Sequence, residues 1–251
     1  VTLPELVRGV RLLGLDAGNT VIFLDHARIA AWSTANGFPT TAAALIRGEG
    51  EAKKLQERGA LTQTEWEGRE EPGARGWGGM IGTMIEVAGY PKDSLGPLLA
   101  RLWQEHARHN LYSLVPAGLG PALDALRASG VKVAVISNSE GMLEDLFETL
   151  GIRDYFDLVV DSAKFGIEKP DVRIFQRALD AFSVRPEDAL HLGDSIATDI
   201  EGARAAGMRA ALIDPYGQCE GRALDVPRVS GVVEVAEAIV MENGPVSAKT
   251  A

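Results

Sequence analysis

The run Leu12-Leu13-Gly14-Leu15-Asp16-Ala17-Gly18-Asn19-Thr20 passes from an apolar stretch to a carboxylate and then breaks into Gly and Asn. Such a segment reads as a buried strand that stops on Asp16, with turn-forming residues after it that present the carboxylate at the carboxyl edge of a sheet. Open α/β folds bind their ligands at that edge. Asp16 is therefore a candidate nucleophile, to be weighed against the commoner use of a strand-end Asp as the cap of the next helix.

Three later segments end in the same way. Val131-Lys132-Val133-Ala134-Val135-Ile136-Ser137-Asn138-Ser139 is a β-branched strand closing on hydroxyl and amide groups. Ser139 or Asn138 suits an N-cap for a helix around Met142 to Leu150, and Ser137, read as the first residue past the strand, suits the grip of an anionic oxygen. In Glu168-Lys169-Pro170-Asp171, Pro170 fits a first helical position and Lys169 projects from the loop that feeds the helix. Ala189-Leu190-His191-Leu192-Gly193-Asp194 is a short strand ending in Gly-Asp, with Asp199 where the next helix begins. Two carboxylates so placed can hold a hard divalent cation, because Mg²⁺ takes a few oxygen ligands and keeps several waters. Each segment alone has a plain structural reading, as a cap or a solvated charge. Four strand ends with four different polar groups favour convergence on one site.

Working outward, strands and helices alternate from Tyr112 onward: helix 121–129, strand 132–136, a helix to Leu150, strand 156–161, helix 171–182, strand 189–192, helix 199–206 and strand 210–214. Single helices between strands imply parallel pairing and right-handed crossovers. Residues 25–110 differ. They hold few β-branched runs and show helical blocks separated by Gly37-Phe38-Pro39, Gly59-Ala60, Glu71-Pro72-Gly73 and Gly89-Tyr90-Pro91. The expected architecture is a Rossmann-like parallel α/β core of residues 1–24 and 111–251, with a helical cap inserted at 25–110. Val232 to Val240 is expected to close the fold as a helix, with a loose tail after it.

Taken in order, Asp16 to Thr20, Ser137-Asn138, Lys169-Pro170 and Gly193-Asp194-Ser195 with Asp199 resemble the four motifs of the haloacid dehalogenase superfamily. The chain is most similar to the branch whose cap follows the first motif. The resemblance implies a Rossmann-like core, Asp16 as the nucleophile and, in most members, cleavage of phosphate esters with Mg²⁺. It assigns charge compensation to Lys169, substrate contacts to Asn19, Ser137, Asn138 and Lys169, and the metal to Asp16, Asp194 and the Gly18 carbonyl. Asp199 would order the waters that remain on the metal.

One departure matters. The family's commonest pattern is Asp-x-Asp-Gly-Thr, but here Gly18 stands where the second Asp protonates the leaving alcohol and then activates water, and Asn19 stands where the Gly would be. A well-placed acid or base contributes about 10²–10⁴-fold. Relatives without that Asp include phosphonoacetaldehyde hydrolases, which use a cap lysine as a Schiff base, and 2-haloacid dehalogenases, which attack carbon without a metal. Lys53 and Lys54 fall near the Schiff-base position, yet Glu49-Gly50-Glu51-Ala52-Lys53-Lys54-Leu55-Gln56-Glu57-Arg58 reads as a solvated helical face. The Gly-Asp of the fourth motif weighs against dehalogenation. A catalytically weak anion-binding protein is a further alternative.

Other polar residues have plain readings. Asp25 and His26, just past the first motif, are candidates for a substitute acid or base and otherwise fit an N-cap and first turn, while His191 fits a satisfied core residue, and His106 and His109 exposed faces of a helix. Trp32, Trp66 and Trp103 fit core anchors. Gly73-Ala74-Arg75-Gly76-Trp77-Gly78-Gly79-Met80 is either a mobile substrate loop with Arg75 and Trp77 as contacts, or a tight helix crossing or long surface loop.

A chain of 251 residues can bury a sizeable core. A formal net charge of -10 opposes general binding to nucleic acid or acidic membranes, which demand basic patches. Cys219 is the only cysteine, so no intrachain disulfide can form, and a reducing cytoplasm is expected. No run approaches the ~20 apolar residues of a membrane span, and the opening Val1-Thr2-Leu3-Pro4-Glu5 lacks the pattern of a signal peptide. A small phosphorylated substrate and a monomer or homodimer complete the expectations.

Overall fold

The computed structural model describes residues 2–62, 74–220 and 225–243, the side chain of Arg75 excepted. The chain divides into two compact units, Val1–Phe23 with Val115–Asp214 and Ala223–Ala251, and Leu24–Leu114 with Pro215–Arg222.

The first unit is built on a six-stranded sheet. Its strands are β1 (Leu12–Leu15), β4 (Lys132–Ser137), β5 (Leu158–Asp161), β6 (Ala189–Gly193), β7 (Arg209–Ile213) and β8 (Arg228–Val229), in the order β5-β4-β1-β6-β7-β8. Every pairing is parallel, with Leu15 opposite Val135 on one side and Leu192 on the other. β1 has all four residues buried, as expected of a strand covered on both faces. Helices α1 (Leu3–Val7), α6 (Leu119–Ala128) and α11 (Val232–Asn243) pack together, and so do α9 (Val172–Phe182) and α10 (Glu201–Ala205). This is the parallel α/β, Rossmann-like sheet expected from the strand–helix alternation. β8 escaped the sequence reading, because two residues carry no periodicity.

Strand order fixes where a ligand can sit. The chain builds outward from β1 through β4 to β5, then returns to the other side of β1 to lay down β6 and β7. The carboxyl ends of β1, β4 and β6 therefore surround the point where the winding reverses, and the crevice of an open sheet forms there.

The second unit is helical: α2 (His26–Ala35), α3 (Ala42–Gln56), α4 (Ala74–Val87) and α5 (Leu95–Arg108). A two-stranded ribbon pairs β2 (Phe23–Leu24) with β3 (Tyr112–Leu114). Leu45, Ile81, Met84, Ile85, Leu98, Leu99 and Leu102 form its core, with Trp77 in edge contact with Trp103 at 5.0 Å. The Gly-rich run is helix from Ala74 onward, not a substrate loop, and Trp77 is a core residue. A close helix approach does exist, through Gly48: a Cβ there would lie 2.3 Å from the Met84 carbonyl oxygen, so only glycine lets α3 meet α4. Trp66 and the tail beyond Asn243 lie outside the described residues.

Three polar expectations are corrected here. Glu49 is fully buried and Lys53 nearly so, rather than on a solvated face, while Glu51 and Lys54 pair on the outside at 2.6 Å. His106 is buried against Trp77 and Trp103, and burial pushes it down to about 4. Pro170 precedes the N-cap of α9 rather than opening the helix; Asp171 is the cap and accepts from the Arg173 N–H. Asp25 does cap α2, accepting from the Arg28 N–H.

Candidate active site

Asp16 continues the sheet ladder one residue past β1, its N–H donating to the Leu192 carbonyl at 2.8 Å. The chain then folds back on itself: the Ala17 carbonyl accepts from Val21 and Ile22, and the Asn19 N–H donates to the Ile22 carbonyl. Asn19 holds φ 55 in this turn. Asn is among the few residues that enter the left-handed region readily, which is how it replaces a glycine there. Asp16, Asn19 and Thr20 are all buried.

Lys169 follows β5 and α8 (Ser162–Phe165) and reaches back to β1. Its Nζ lies 2.5 Å from Asp16 Oδ1 and 2.6 Å from Asp199 Oδ1. Burial opposes the charge on this amine, but Asp16 and Asp199 outweigh it and hold the ammonium above the usual lysine range. The Lys169–Pro170 peptide is cis.

Asp199 belongs to a π-helical turn, Ile196–Ile200, placed just after β6. Its Oδ1 accepts from Lys169 and from His191 Nε2 at 3.1 Å, and its Oδ2 accepts from the Ser195 N–H at 3.1 Å. A carboxylate only accepts, so the His191 proton on this bond sits on Nε2. Against the cost of burial, Lys169 and His191 hold Asp199 below the usual carboxylate range. Two glycines make room for this arrangement. A Cβ on Gly193 would fall 2.2 Å from Asp199 Cγ, and one on Gly14 would fall 3.0 Å from His191 Nδ1.

Oxygens of Asp16, Asp194 and Asp199 lie within 4.8 Å of one another. Three buried carboxylates against one ammonium leave two negative charges, and the donors are all hard oxygens, so the residues fit a divalent cation such as Mg²⁺. Asp199 has both oxygens engaged, and Asp16 has one held by Lys169.

Ser137 is the last residue of β4 and is buried, rather than the first residue beyond the strand. Asn138 is not a helix cap. Its Oδ1 accepts from the Lys169 N–H at 2.7 Å, and its Nδ2 donates to the Lys169 carbonyl at 3.0 Å, a two-point clamp on the backbone beneath the lysine. Nor does Ser139 cap the following helix, α7 (Leu143–Thr149). Asp161, which the sequence reading passed over, accepts from the Gly141 and Leu143 N–H groups instead. Its position at the end of β5 was the available signal.

An open parallel sheet with an acid–lysine cluster at its switch point defines a Rossmann-like α/β enzyme class. Within that class, the haloacid dehalogenase-like hydrolase family model matches residues 10–207, and the chain belongs to this family of hydrolases. It is 31% identical over 216 residues to haloacid dehalogenase-like hydrolase domain-containing protein 3 of Bos taurus, covering 81% of this chain and 82% of that protein. It is also 36% identical over 131 residues to a phosphoserine phosphatase of Thermus thermophilus, covering 52% of this chain and 51% of that one. Among solved structures, a magnesium-bound hydrolase of the superfamily from Bacillus subtilis shares the fold at a TM-score of 0.63 and 16% identity, covering 92% of this chain and 98% of that chain. Among the described residues no helix is long and apolar enough to cross a membrane.

Proposed function

We propose that this hydrolase is a Mg²⁺-dependent phosphatase acting on a small phosphorylated metabolite through a phosphoaspartate. The observation that carries the reading is the convergence of Asp16, Lys169 and Asp194 at the switch point, with Lys169 Nζ 2.5 Å from the proposed nucleophile. Relatives named as phosphatases support the reaction class.

In this reading an Asp16 oxygen attacks phosphorus and the leaving oxygen departs, which splits one displacement into two. Lys169 offsets charge on the phosphoryl oxygens, assisted by the Ser137 hydroxyl and Asn19. Asn138 holds the backbone of Lys169, and Asp199 with His191 fixes its ammonium. Mg²⁺ on Asp16, Asp194 and the Gly18 carbonyl would supply further neutralisation of the phosphoryl group. The helical segment 25–110 is proposed as the cap that selects the leaving group.

An imine at Lys53 has less support. That amine donates to Gln56 at 3.2 Å, and its charge helps to hold the buried Glu49 carboxyl below the usual range, which is the work of a structural partner. Attack on carbon has less support too, because the acidic cluster at the fourth motif suits a cation.

The test is hydrolysis of p-nitrophenyl phosphate with Mg²⁺ and with chelator, by wild type and Asp16→Asn. Metal-dependent release that falls by about 10³-fold or more in the variant is expected. Full activity in a folded Asp16→Asn would overturn the reading.

A further inference from the structure

His191 lies inside β6, between Leu190 and Leu192, and is fully buried. A strand covered on both faces ordinarily takes an aliphatic residue at such a position. Register sets His191 in one row with Ala134 of β4, Gly14 of β1 and Ala210 of β7. These three small neighbours leave room for an imidazole, and its Nδ1 sits where a Cβ on Gly14 would come within 3.0 Å. Phe175 of α9 meets the ring edge to face, at 5.1 Å and 88° between planes.

The ring carries a polar atom that packing does not need. Nδ1 is buried and has no hydrogen-bond partner among the described residues. An acceptor stripped of water and left bare destabilises a fold, so a leucine here would sit more comfortably. What the imidazole supplies is one donor. Its Nε2 donates to Asp199 Oδ1 at 3.1 Å, the oxygen that also accepts from Lys169 Nζ at 2.6 Å. That Nζ in turn lies 2.5 Å from Asp16 Oδ1. On the other oxygen of Asp199 the Ser195 N–H is a single anchor, about which the carboxylate could turn. His191 removes that freedom, and Gly193, two residues on and on the same face of β6, opens the space the carboxylate fills.

We infer that His191 is a positioning residue for the proposed reaction: through Asp199 it aims the Lys169 ammonium, and Gly14 on β1 provides its seat. The inference rests on the phosphatase reading above. As Asp16 forms its bond to phosphorus it gives up negative charge, and Lys169 exchanges that partner for the phosphoryl oxygens. Asp199, pinned by His191, is the fixed point about which the exchange takes place. The role belongs to the Nε2–H donor and not to the bulk of the ring.

The experiment compares wild type, His191→Gln, His191→Leu and Asp16→Asn on p-nitrophenyl phosphate at saturating Mg²⁺, with kcat and KM read beside thermal unfolding. Glutamine keeps an Nε2–H donor, and leucine fills a similar volume without one. His191→Leu is expected to lose about 10–100-fold in kcat, with the smaller change in KM, while melting no lower than wild type. His191→Gln is expected to keep most of its kcat while melting lowest of the three. A packing role would instead rank the variants alike in melting and in turnover. Retained kcat in His191→Leu, or a His191→Gln no faster than His191→Leu, overturns the inference. Should His191→Leu fail to fold, Gly14→Ala decides, because its methyl presses on Nδ1. It should lower kcat by about tenfold where the imidazole is present and leave His191→Gln unaffected, and equal loss in both backgrounds overturns the inference. Failure of the phosphatase reading is seen separately, as full activity in a folded Asp16→Asn or no phosphate release by wild type.

Discussion

Each unit of this protein buries a polar cluster, and the two are built by opposite means. In the α/β unit, Asp16, Lys169 and Asp199 come from the ends of strands and the loops after them, with His191 bracing them from inside β6. In the helical unit, fully buried Glu49 on α3 accepts from His26 Nε2 at 2.7 Å and from the Tyr216 hydroxyl at 2.6 Å. Burial opposes the charge of Glu49, but these bonds hold its carboxyl below the usual range. The first cluster carries two negative charges beyond its one ammonium and faces the crevice of the sheet. The second answers its carboxylate with donors from α2 and from a segment 167 residues away, and so acts as a tie. An excess of like charge is tolerable only where a ligand will neutralise it; a tie must be complete by itself.

The sharpest way to break this comparison is to cut each cluster at its carboxylate. Asp16→Asn should abolish turnover with little change in thermal unfolding. Glu49→Ala, by stranding His26 and Tyr216, should cost about 3 kcal/mol in urea unfolding. Equal stability loss in both would show that the two clusters do not differ in kind.

Opposite responses to pH come next. His106 is held at about 4 against an ordinary 6.5, so its unfolded form takes up a proton first and stability falls as pH drops from 6.5 toward 4. Glu140, in the loop after β4, is held by burial and by Asp161 at about 7 against an ordinary 4.5, so its unfolded form releases its proton first and stability falls as pH rises from 4.5 toward 7. Each effect amounts to about 3 kcal/mol at most. The two windows overlap between pH 4.5 and 6.5, so each variant should unmask the other's slope there in thermal melts: Glu140→Gln leaves stability rising with pH, and His106→Gln leaves it falling.

Two alanines refine the picture. Gly193→Ala must displace Asp199, whose Cγ would lie 2.2 Å from the new methyl, and should cost about 100-fold in kcat through the misplaced Lys169. Gly48→Ala must part α3 from the Met84 carbonyl, and should cost about 2 kcal/mol of stability with kcat largely kept. The smallest effect belongs to the outer face of α3. Lys54→Ala breaks an exposed pair with Glu51 and should shift unfolding by only about 0.3 kcal/mol.

The site was legible in the sequence to the extent that strand ends announce themselves. Asp16, Ser137, Lys169 and Asp194 each follow an apolar run or a turn signal that marks its place at the sheet edge. Asn138 was read as a substrate contact or a cap, and Glu140 not at all. What an amide clamps, and how a carboxyl is desolvated, depends on chain that arrives from elsewhere: the Lys169 backbone in one case, Asp161 in the other. On α3 the reading failed for a related reason. Its buried face carries Gly48, Glu49, Ala52 and Lys53, and a helix whose inner face is polar and small gives no apolar stripe to follow.

The parallel α/β core and the family could be read from residue order alone, because periodicity and turn residues act over a few positions and survive without tertiary context. Which charges are buried, and what each one holds, emerged with the packed chain. The cost of burying a charge is settled by partners that the chain order does not reveal: Tyr216 for Glu49, His191 and Lys169 for Asp199, and Asp161 against Glu140.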